Sequence, residues 1–331
     1  MSATILDIAR RCGVSPGIVN RVLVSGREEI GEEAREAILA AAKELGYEAS
    51  CRAHSLGVLF MDEGAKGLTH PFFASILNSF KIAAEAKGYD VTFINHRIGG
   101  SVMTYLEYCQ YRGLDGVCIA CIDFADPQVV ELVNSGIPCV TVDHIYKRIP
   151  AVLSDNENGV QRLVEYAIAL GHRKIAMIHG HNNSVVTRTR IGQFYQTMRF
   201  HDLPVPDDYV CSGLYGDIEL TRESVAALLR LPDPPTCILL PDDLCYLGAQ
   251  EAARELGLRI PEDVSFAGYD GIPVMQSIRP RLTTVRQKSD VIGEEAARLL
   301  ISRIEDGKSA SRLPVFVPVE LLNGGTVGSV G

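Results

Sequence analysis

The chain has 331 residues, 47% of them apolar, and a mean hydropathy of +0.10, which is more than one small domain needs and enough to fill two or three cores. No run of eighteen apolar residues occurs, which excludes a membrane-spanning helix, and the first helix is amphipathic rather than an apolar leader, so the chain is expected in the cytoplasm. The net charge of −9 opposes nucleic-acid binding unless basic groups are clustered.

The N-terminal stretch Thr4 to Cys12 reads as a helix stopped by Gly13. Ser15 then caps a second helix. Pro16 sits at its first position, where a missing N–H costs nothing, and the turns continue through Gly17, Ile18, Val19, Asn20, Arg21, Val22 and Leu23. A third amphipathic helix runs from about Glu32 to Leu45 and is closed by Gly46. Two short helices joined by a tight Gly-containing turn, with a third across them, describe a helix-turn-helix DNA reader. Residues 1–50 carry six basic and eight acidic groups, a net −2. Phosphate contacts need positive groups, so this balance predicts weak, salt-sensitive binding unless Arg10, Arg11 and Arg21 share one face.

From Leu56 onward, apolar runs alternate with helical patterns. Strands are expected at 57–60, 90–94, 116–120, 138–142, 174–178, 236–240 and 264–268. Helices are expected near 72–87, 102–111, 127–134, 158–170 and 290–305. Such alternation implies parallel sheets with helices on both faces. The expected fold class is α/β: two doubly wound parallel-sheet lobes preceded by a small all-α helix-turn-helix domain. Ligands in such lobes sit beyond the carboxyl ends of the strands, and a cleft between the lobes is the default site. The nine cysteines lack the spacing of a disulfide scaffold. Cys118 and Cys121 end an apolar strand with no second CxxC, and are read as reduced core thiols rather than a metal or redox pair.

The pattern Thr4-Ile5-x-Asp7-Ile8-Ala9-x-x-x-Gly13-Val14-Ser15, then Val19, Arg21, Val22 and Leu23, Ala34-Arg35 and Glu44-Leu45-Gly46-Tyr47, resembles the LacI/GalR family of transcriptional regulators. The resemblance runs to about Asn323. It implies a headpiece at 1–47, a hinge at 48–56 and a periplasmic-binding-protein-like effector domain at 57–323. The N-lobe would take about 57–153 and 286–312, the C-lobe about 155–284 and 314–322. The chain would cross between lobes near Ser154, Val285 and Leu313. A glycine-rich tail at 324–331 is expected to be disordered.

The family places its second helix in the major groove. That implies DNA contacts from Thr4, Ser15, Pro16, Gly17, Ile18, Asn20 and Arg21, and from the hinge residues Ala53 and Leu56, whose family counterparts wedge into the minor groove. Pro16 and Gly17 cannot donate to a base, whereas Arg21 can grip guanine, worth about 1–3 kcal/mol. The hinge keeps Tyr47, Ala53 and Leu56 but lacks the family's Pro and Asn, and runs straight into a strand. The loop 62–69 is longer than usual and is read as a lid or a dimer contact.

For the effector, the resemblance implies His70, Phe72, Phe73, Asp143, His144, Arg190, Asp242, Asp270 and Gln287. Carboxylates and amides accept from hydroxyls, Arg donates to them, and aromatic faces take the C–H side of a sugar. Asp242 near Asp270 and Arg190 suits a neutral monosaccharide and disfavours an anion. Other readings stand beside these. Phe72 and Phe73 can be core aromatics. Asp243 is read as the cap of a helix starting near Leu244. Asp155-Asn156 is read as a crossover turn and helix cap, and His172 as part of a turn. His70, His144 and Asp242 depart from the family's usual residues, so the identity of the effector stays open.

The implied protein is a homodimeric transcription regulator, a repressor, that binds operator DNA and a small effector, with no membrane partner, cofactor, metal or catalytic residue. The alternative is a sugar-binding sensor paralogue with weakened or lost operator binding. A glycosidase would need a close acid pair. The sequence shows no nucleophile elbow, P-loop or metal-ligand cluster, so it is read as not an enzyme.

Overall fold

The computed structural model describes residues 5–20, 22–23, 31–45, 54–60, 67–95, 97–98, 101–181, 184–309 and 311–330. Three helices come first: α1 (Ile5–Cys12), α2 (Pro16–Asn20) and α3 (Glu32–Glu44). Gly13 adopts the left-handed φ of 64° that ends α1 and opens the tight turn. The three helices bury Ile8, Ala9, Val19, Val22, Ile38, Ala41 and Ala42 in one small core.

The chain continues with β1 (His54–Phe60), α4 (Pro71–Glu85), β2 (Tyr89–Phe93) and the ribbon β3 (Arg97–Ile98) and β4 (Ser101–Val102). Then come α5 (Tyr105–Arg112), β5 (Gly116–Ala120), α6 (Pro127–Asn134) and β6 (Cys139–Val142). Thr104 and Glu107 form a reciprocal capping box on α5, and Asp126 caps α6 with Pro127 at its first turn. The next stretch is β7 (Ala151–Ser154), α7 (Asn156–Ala169), β8 (Ile175–His179), α8 (Val185–Phe200), β9 (Val210–Ser212), α9 (Ile218–Leu229) and β10 (Cys237–Leu239). It is followed by α10 (Cys245–Glu255), β11 (Ser265–Asp270), α11 (Pro273–Ser277), β12 (Thr283–Arg286), α12 (Ser289–Glu305), β13 (Val315–Val317) and β14 (Glu320–Leu322).

The chain divides into two compact units. Unit 1 is Met1–Asp62, Asn78–Ala151 and Gly293–Leu313. Unit 2 is Glu63–Leu77, Val152–Ile292 and Pro314–Gly331. The expected lobes assume three crossings; the units also divide at 62/63 and 77/78.

In unit 1 the strands run β2-β1-β5-β6, all parallel. Every residue of β5 and β6 is buried, as strands covered on both faces must be. In unit 2 the order is β9-β8-β10-β11-β12 in parallel, with β14 antiparallel at the β12 edge. β7 and β13 pair in parallel. Two apolar clusters fill unit 2. One gathers Tyr246, Phe266 and Ile238; the other gathers Phe194, Met198 and Tyr269.

Two expectations need correction. The tail is ordered from Gly324 to Val330: Thr326 is fully buried, accepting from Thr283 N–H (2.9 Å) and donating to the Phe266 carbonyl (2.7 Å). Val330 N–H bonds the Leu170 carbonyl, and Gly328 N–H bonds Ser265. Backbone groups with such partners pin a segment that composition alone marks as loose. The second correction concerns Leu56. The first strand starts at His54, so Leu56 is a fully buried strand residue opposite Val91 and Gly116. It is core and cannot act as a wedge for DNA. The lid or dimer-contact reading of 62–69 falls largely outside the described residues, which begin again with a short turn at Gly67–Thr69.

Candidate functional site

In unit 2, the carboxyl ends of β8, β10, β11 and β12 carry the polar residues. Arg190 comes from α8, which begins at the Ser184 cap. Its side chain is buried, and its Nε–H donates to Asn156 Oδ1 (2.8 Å). One Nη1–H reaches the Pro241 carbonyl (3.3 Å), and the guanidinium lies 3.6 Å over the Tyr269 ring. Tyr215 flanks it at 6.0 Å and hydrogen-bonds Thr187 (2.7 Å). Asn156 is thus a buried partner of Arg190 as well as the first residue of α7, while Asp155 supplies the cap by accepting from Asn158 N–H. The reading of Asp155-Asn156 as a mere turn holds for Asp155 and fails for Asn156.

The expected cap, Asp243, is not the aspartate that meets the start of α10. Asp242 accepts from Cys245 N–H at the start of α10 (2.9 Å) and from Gly216 N–H, so both its oxygens are engaged with backbone. Asp243 accepts from Ile272 N–H (2.8 Å) and Thr284 hydroxyl (2.5 Å), fastening β12 and the loop after β11. Burial pushes the Asp243 carboxyl up to about 7. Asp242 thus meets the first N–H of α10, whose N-cap position is Leu244 without a side-chain cap. A strand-end Asp pair looks alike in sequence; only the backbone direction decides which oxygen meets the helix.

Asp270 ends β11 with φ 120°, a strained value for a non-glycine residue. Its Oδ1 accepts from Gln287 Nε2 (2.6 Å), and its backbone carbonyl from Gln287 N–H (3.0 Å). Burial, then the neighbouring Asp242 and Asp243, hold its carboxyl well above the usual range; Arg190 opposes them. Gln287 is buried and its Oε1 has no hydrogen-bond partner. A cavity of about 350 Å³ opens here, lined by Phe72, Asp270, Arg286, Gln287, Lys288 and Asp290 among others. Phe72 is buried and meets Phe73 edge-on at 5.1 Å, and His70 lies 5.4 Å from Phe73. Five expected residues of unit 2 (Phe72, Arg190, Asp242, Asp270 and Gln287) thus belong to one hydrogen-bonded or electrostatic neighbourhood or line this cavity. Sequence reasoning missed Asn156, Tyr215 and Tyr269. The signal for the two tyrosines was a glycine opposite each ring, unreadable without the fold.

Asp143 and His144 lie in unit 1, just past β6. Asp143 has φ 62°, and the His144 ring stacks flat on Phe124 (4.3 Å, 6°) with Tyr146 edge-on at 4.5 Å. Tyr146 donates its hydroxyl to the Phe124 carbonyl, closing an aromatic group of its own.

At the DNA end, Thr4, Arg21 and Ala53 lie outside the described residues. Ser15 is exposed and Pro16, Gly17 and Ile18 are half-buried, with Ile18 packed against the helical core. Asn20 is buried, its amide against Gly113 at the end of α5, and does not face solvent. Arg10 is exposed; Arg11 is exposed and ion-paired to Glu44 (3.1 Å). Among the described residues no group of three or more His, Cys, Asp or Glu could hold a metal, and none of their helices is long and apolar enough to cross a membrane. Burial pushes the Cys118 thiol up to about 12, which keeps it unreactive.

Comparison with known proteins agrees with this layout. Residues 4–50 match the bacterial regulatory proteins of the lacI family, and residues 53–321 the periplasmic binding proteins and sugar-binding domain of the LacI family. The chain is 31% identical over 308 residues to the HTH-type transcriptional repressor PurR of Haemophilus influenzae, covering 91% of each. It resembles the solved complex of the transcriptional regulator CelR with cellobiose (TM-score 0.72, 27% identity, 98% of this chain and 99% of that one). It also resembles a LacI-family regulatory protein from Chloroflexus aggregans (TM-score 0.74, 27% identity, 83% and 99%).

Proposed function

We propose, for a chain that belongs to the LacI family of bacterial regulatory proteins, a repressor that binds operator DNA as a homodimer and is controlled by a small neutral sugar held in unit 2. One observation carries the effector class. The cavity of about 350 Å³ joins an aromatic edge, Phe72, to the Asp270–Gln287 pair, and Gln287 presents a buried acceptor with no partner. A buried acceptor left unmade costs about 1–3 kcal/mol, so the pocket favours a ligand that donates hydroxyls there. Carboxyls at 270 and 290 are balanced by Arg286 and Lys288 in the same lining, which favours no net charge on the ligand, and the size is within the range of small-ligand sites. The cellobiose bound to the similar regulator supports a carbohydrate; the name of the similar repressor supports the sign of the regulation.

In this reading Arg190 donates to a sugar hydroxyl, Asp270 and Gln287 accept, and Phe72 covers a C–H face. His70 and Phe73 are proposed as further contacts. Asp242, with both oxygens engaged, acts by holding the loop. On DNA, Arg21 would read a base, with Thr4, Ser15, Pro16, Gly17 and Ile18 along the backbone. Whatever the sugar does to operator affinity, operator does to sugar affinity by the same factor.

The test is calorimetric titration with neutral pentoses and hexoses, alongside Arg190→Ala and Asp270→Ala. Both variants should unfold cooperatively yet lose sugar binding; unchanged affinity in both would overturn the site. A second reading, a sugar sensor that no longer binds DNA, has its own support in the net −2 of residues 1–50 and the buried Asn20. A gel-retardation assay at low salt separates the two: Arg21-dependent retardation refutes the sensor, and none at any salt refutes the repressor.

A further inference from the structure

The Arg190 guanidinium is a flat, charged group at the end of four rotatable bonds, and binding in one geometry requires that this freedom be removed beforehand. Two hydrogen bonds hold its Nε and Nη1, to the Asn156 side-chain oxygen and the Pro241 carbonyl. The face of the plane is covered by the Tyr269 ring, which lies 3.6 Å beneath the guanidinium carbon, with Tyr215 at 6.0 Å as a looser side wall.

The rings themselves sit in notches made by glycines. A Cβ on Gly159 of α7 would come within 2.1 Å of the Tyr269 hydroxyl oxygen, and a Cβ on Gly180 within 2.2 Å of the Tyr215 ring. Any side chain at either position forces the ring to move. The Tyr269 hydroxyl is buried and has no hydrogen-bond partner, so packing holds this side chain, against Gly159, Arg190 and the apolar cluster of Phe194 and Met198. Tyrosine at 269 therefore does not earn its place by a hydrogen bond; the ring face is what the fold uses. Its position immediately before Asp270 on β11 links the guanidinium tilt to the strained φ of that carboxyl.

We infer that Tyr269, seated in the Gly159 notch, is the positioning residue that fixes the plane of Arg190 for effector recognition. This rests on the proposal that Arg190 touches the effector. Tyr269 itself touches no effector atom and acts through Arg190.

The experiment measures sugar affinity and urea stability of the full chain for Tyr269→Phe, Tyr269→Leu, Gly159→Ala and Arg190→Ala, using the sugar that binds the unmutated chain. Tyr269→Phe keeps the ring and removes only the unpartnered hydroxyl, so affinity should stay within about twofold and stability should not fall. Tyr269→Leu removes the π-face and should weaken binding about tenfold or more. Gly159→Ala should weaken it similarly without touching either residue. Loss in the Leu and Ala variants with rescue by Phe supports the inference. Wild-type affinity in Tyr269→Leu with none in Arg190→Ala overturns it and leaves the site proposal standing. Wild-type affinity in Arg190→Ala overturns the site proposal itself. A loss in Tyr269→Phe equal to that in Tyr269→Leu assigns the role to the hydroxyl and also overturns the inference. If Tyr269→Leu does not fold, Gly159→Ala decides by the same criterion.

Discussion

The headpiece and the strand ends of unit 2 are built on opposite terms. Among the described residues the headpiece rests on a small apolar core, and apart from the buried Asn20 its polar groups lie at the surface: the exposed Arg11–Glu44 pair is the kind worth about 0–1 kcal/mol. At the strand ends of unit 2 the polar groups are buried and bonded to one another or to backbone. There each deletion leaves a desolvated partner behind, which costs more than the contact is worth. The lesson is that the surface polar groups of the headpiece can be altered residue by residue on an apolar core, whereas the polar groups at the strand ends of unit 2 are part of the fold.

The sharpest way to break this comparison is at Asp243. It joins Ile272 N–H and the Thr284 hydroxyl in the interior, so Asp243→Ala should cost about 2–4 kcal/mol by urea unfolding. A loss below about 1 kcal/mol would mean the network is not structural. The next effect is removal of residues 326–331. Thr326 and Val327 are buried, and Gly328 carbonyl holds the His172 ring, so truncation should cost about 2–3 kcal/mol. An unaffected midpoint would restore the view of a loose tail.

Smaller and more specific is a pH effect. Burial raises the folded Asp243 carboxyl from 3.8 to about 7. Between these values the folded state binds the proton more readily than the unfolded state, so stability falls as pH rises from about 4 through 7. Burial raises Asp270 in the same direction. His172 is lowered by burial, which works the other way, with stability falling as pH drops below about 6.5. The comparison is therefore between wild type and Asp243→Asn. The loss of stability from pH 5 to pH 8 should be larger in wild type; equal slopes would remove Asp243 as its source. The smallest effect is expected at Gly113, which has φ 65° and whose Cβ would meet the Asn20 amide at 2.2 Å. Gly113→Ala should cost about 1 kcal/mol and increase proteolysis of the headpiece.

Much of this was legible in the sequence, and the rest was not for identifiable reasons. Helix α6 falls at Pro127–Asn134 as read, because Asp126 and Pro127 form a local start signal. The buried strands β5 and β6 announce themselves as continuous apolar runs. Phe72, Asp270 and Gln287 could be placed at strand or helix ends because those ends are set by local patterns. Non-local pairing could not be read. Leu56 looks like a hinge residue until β1 is seen to start at His54 and pair with β2 and β5. Gly324–Val330 looks loose until Thr326 finds Phe266. That Asp242 rather than Asp243 meets the start of α10 depends on backbone directions no composition encodes.

The most direct test of the central claim is a thermal-shift screen of the full chain and of Arg190→Ala against neutral sugars, sugar acids, polyols and nucleobases. A ligand that binds only the folded state raises the melting temperature by mass action. The account predicts a shift with a neutral sugar in the unmutated chain and none in Arg190→Ala. A shift with a nucleobase or a sugar acid and with no neutral sugar, or an equal shift in Arg190→Ala, would contradict it.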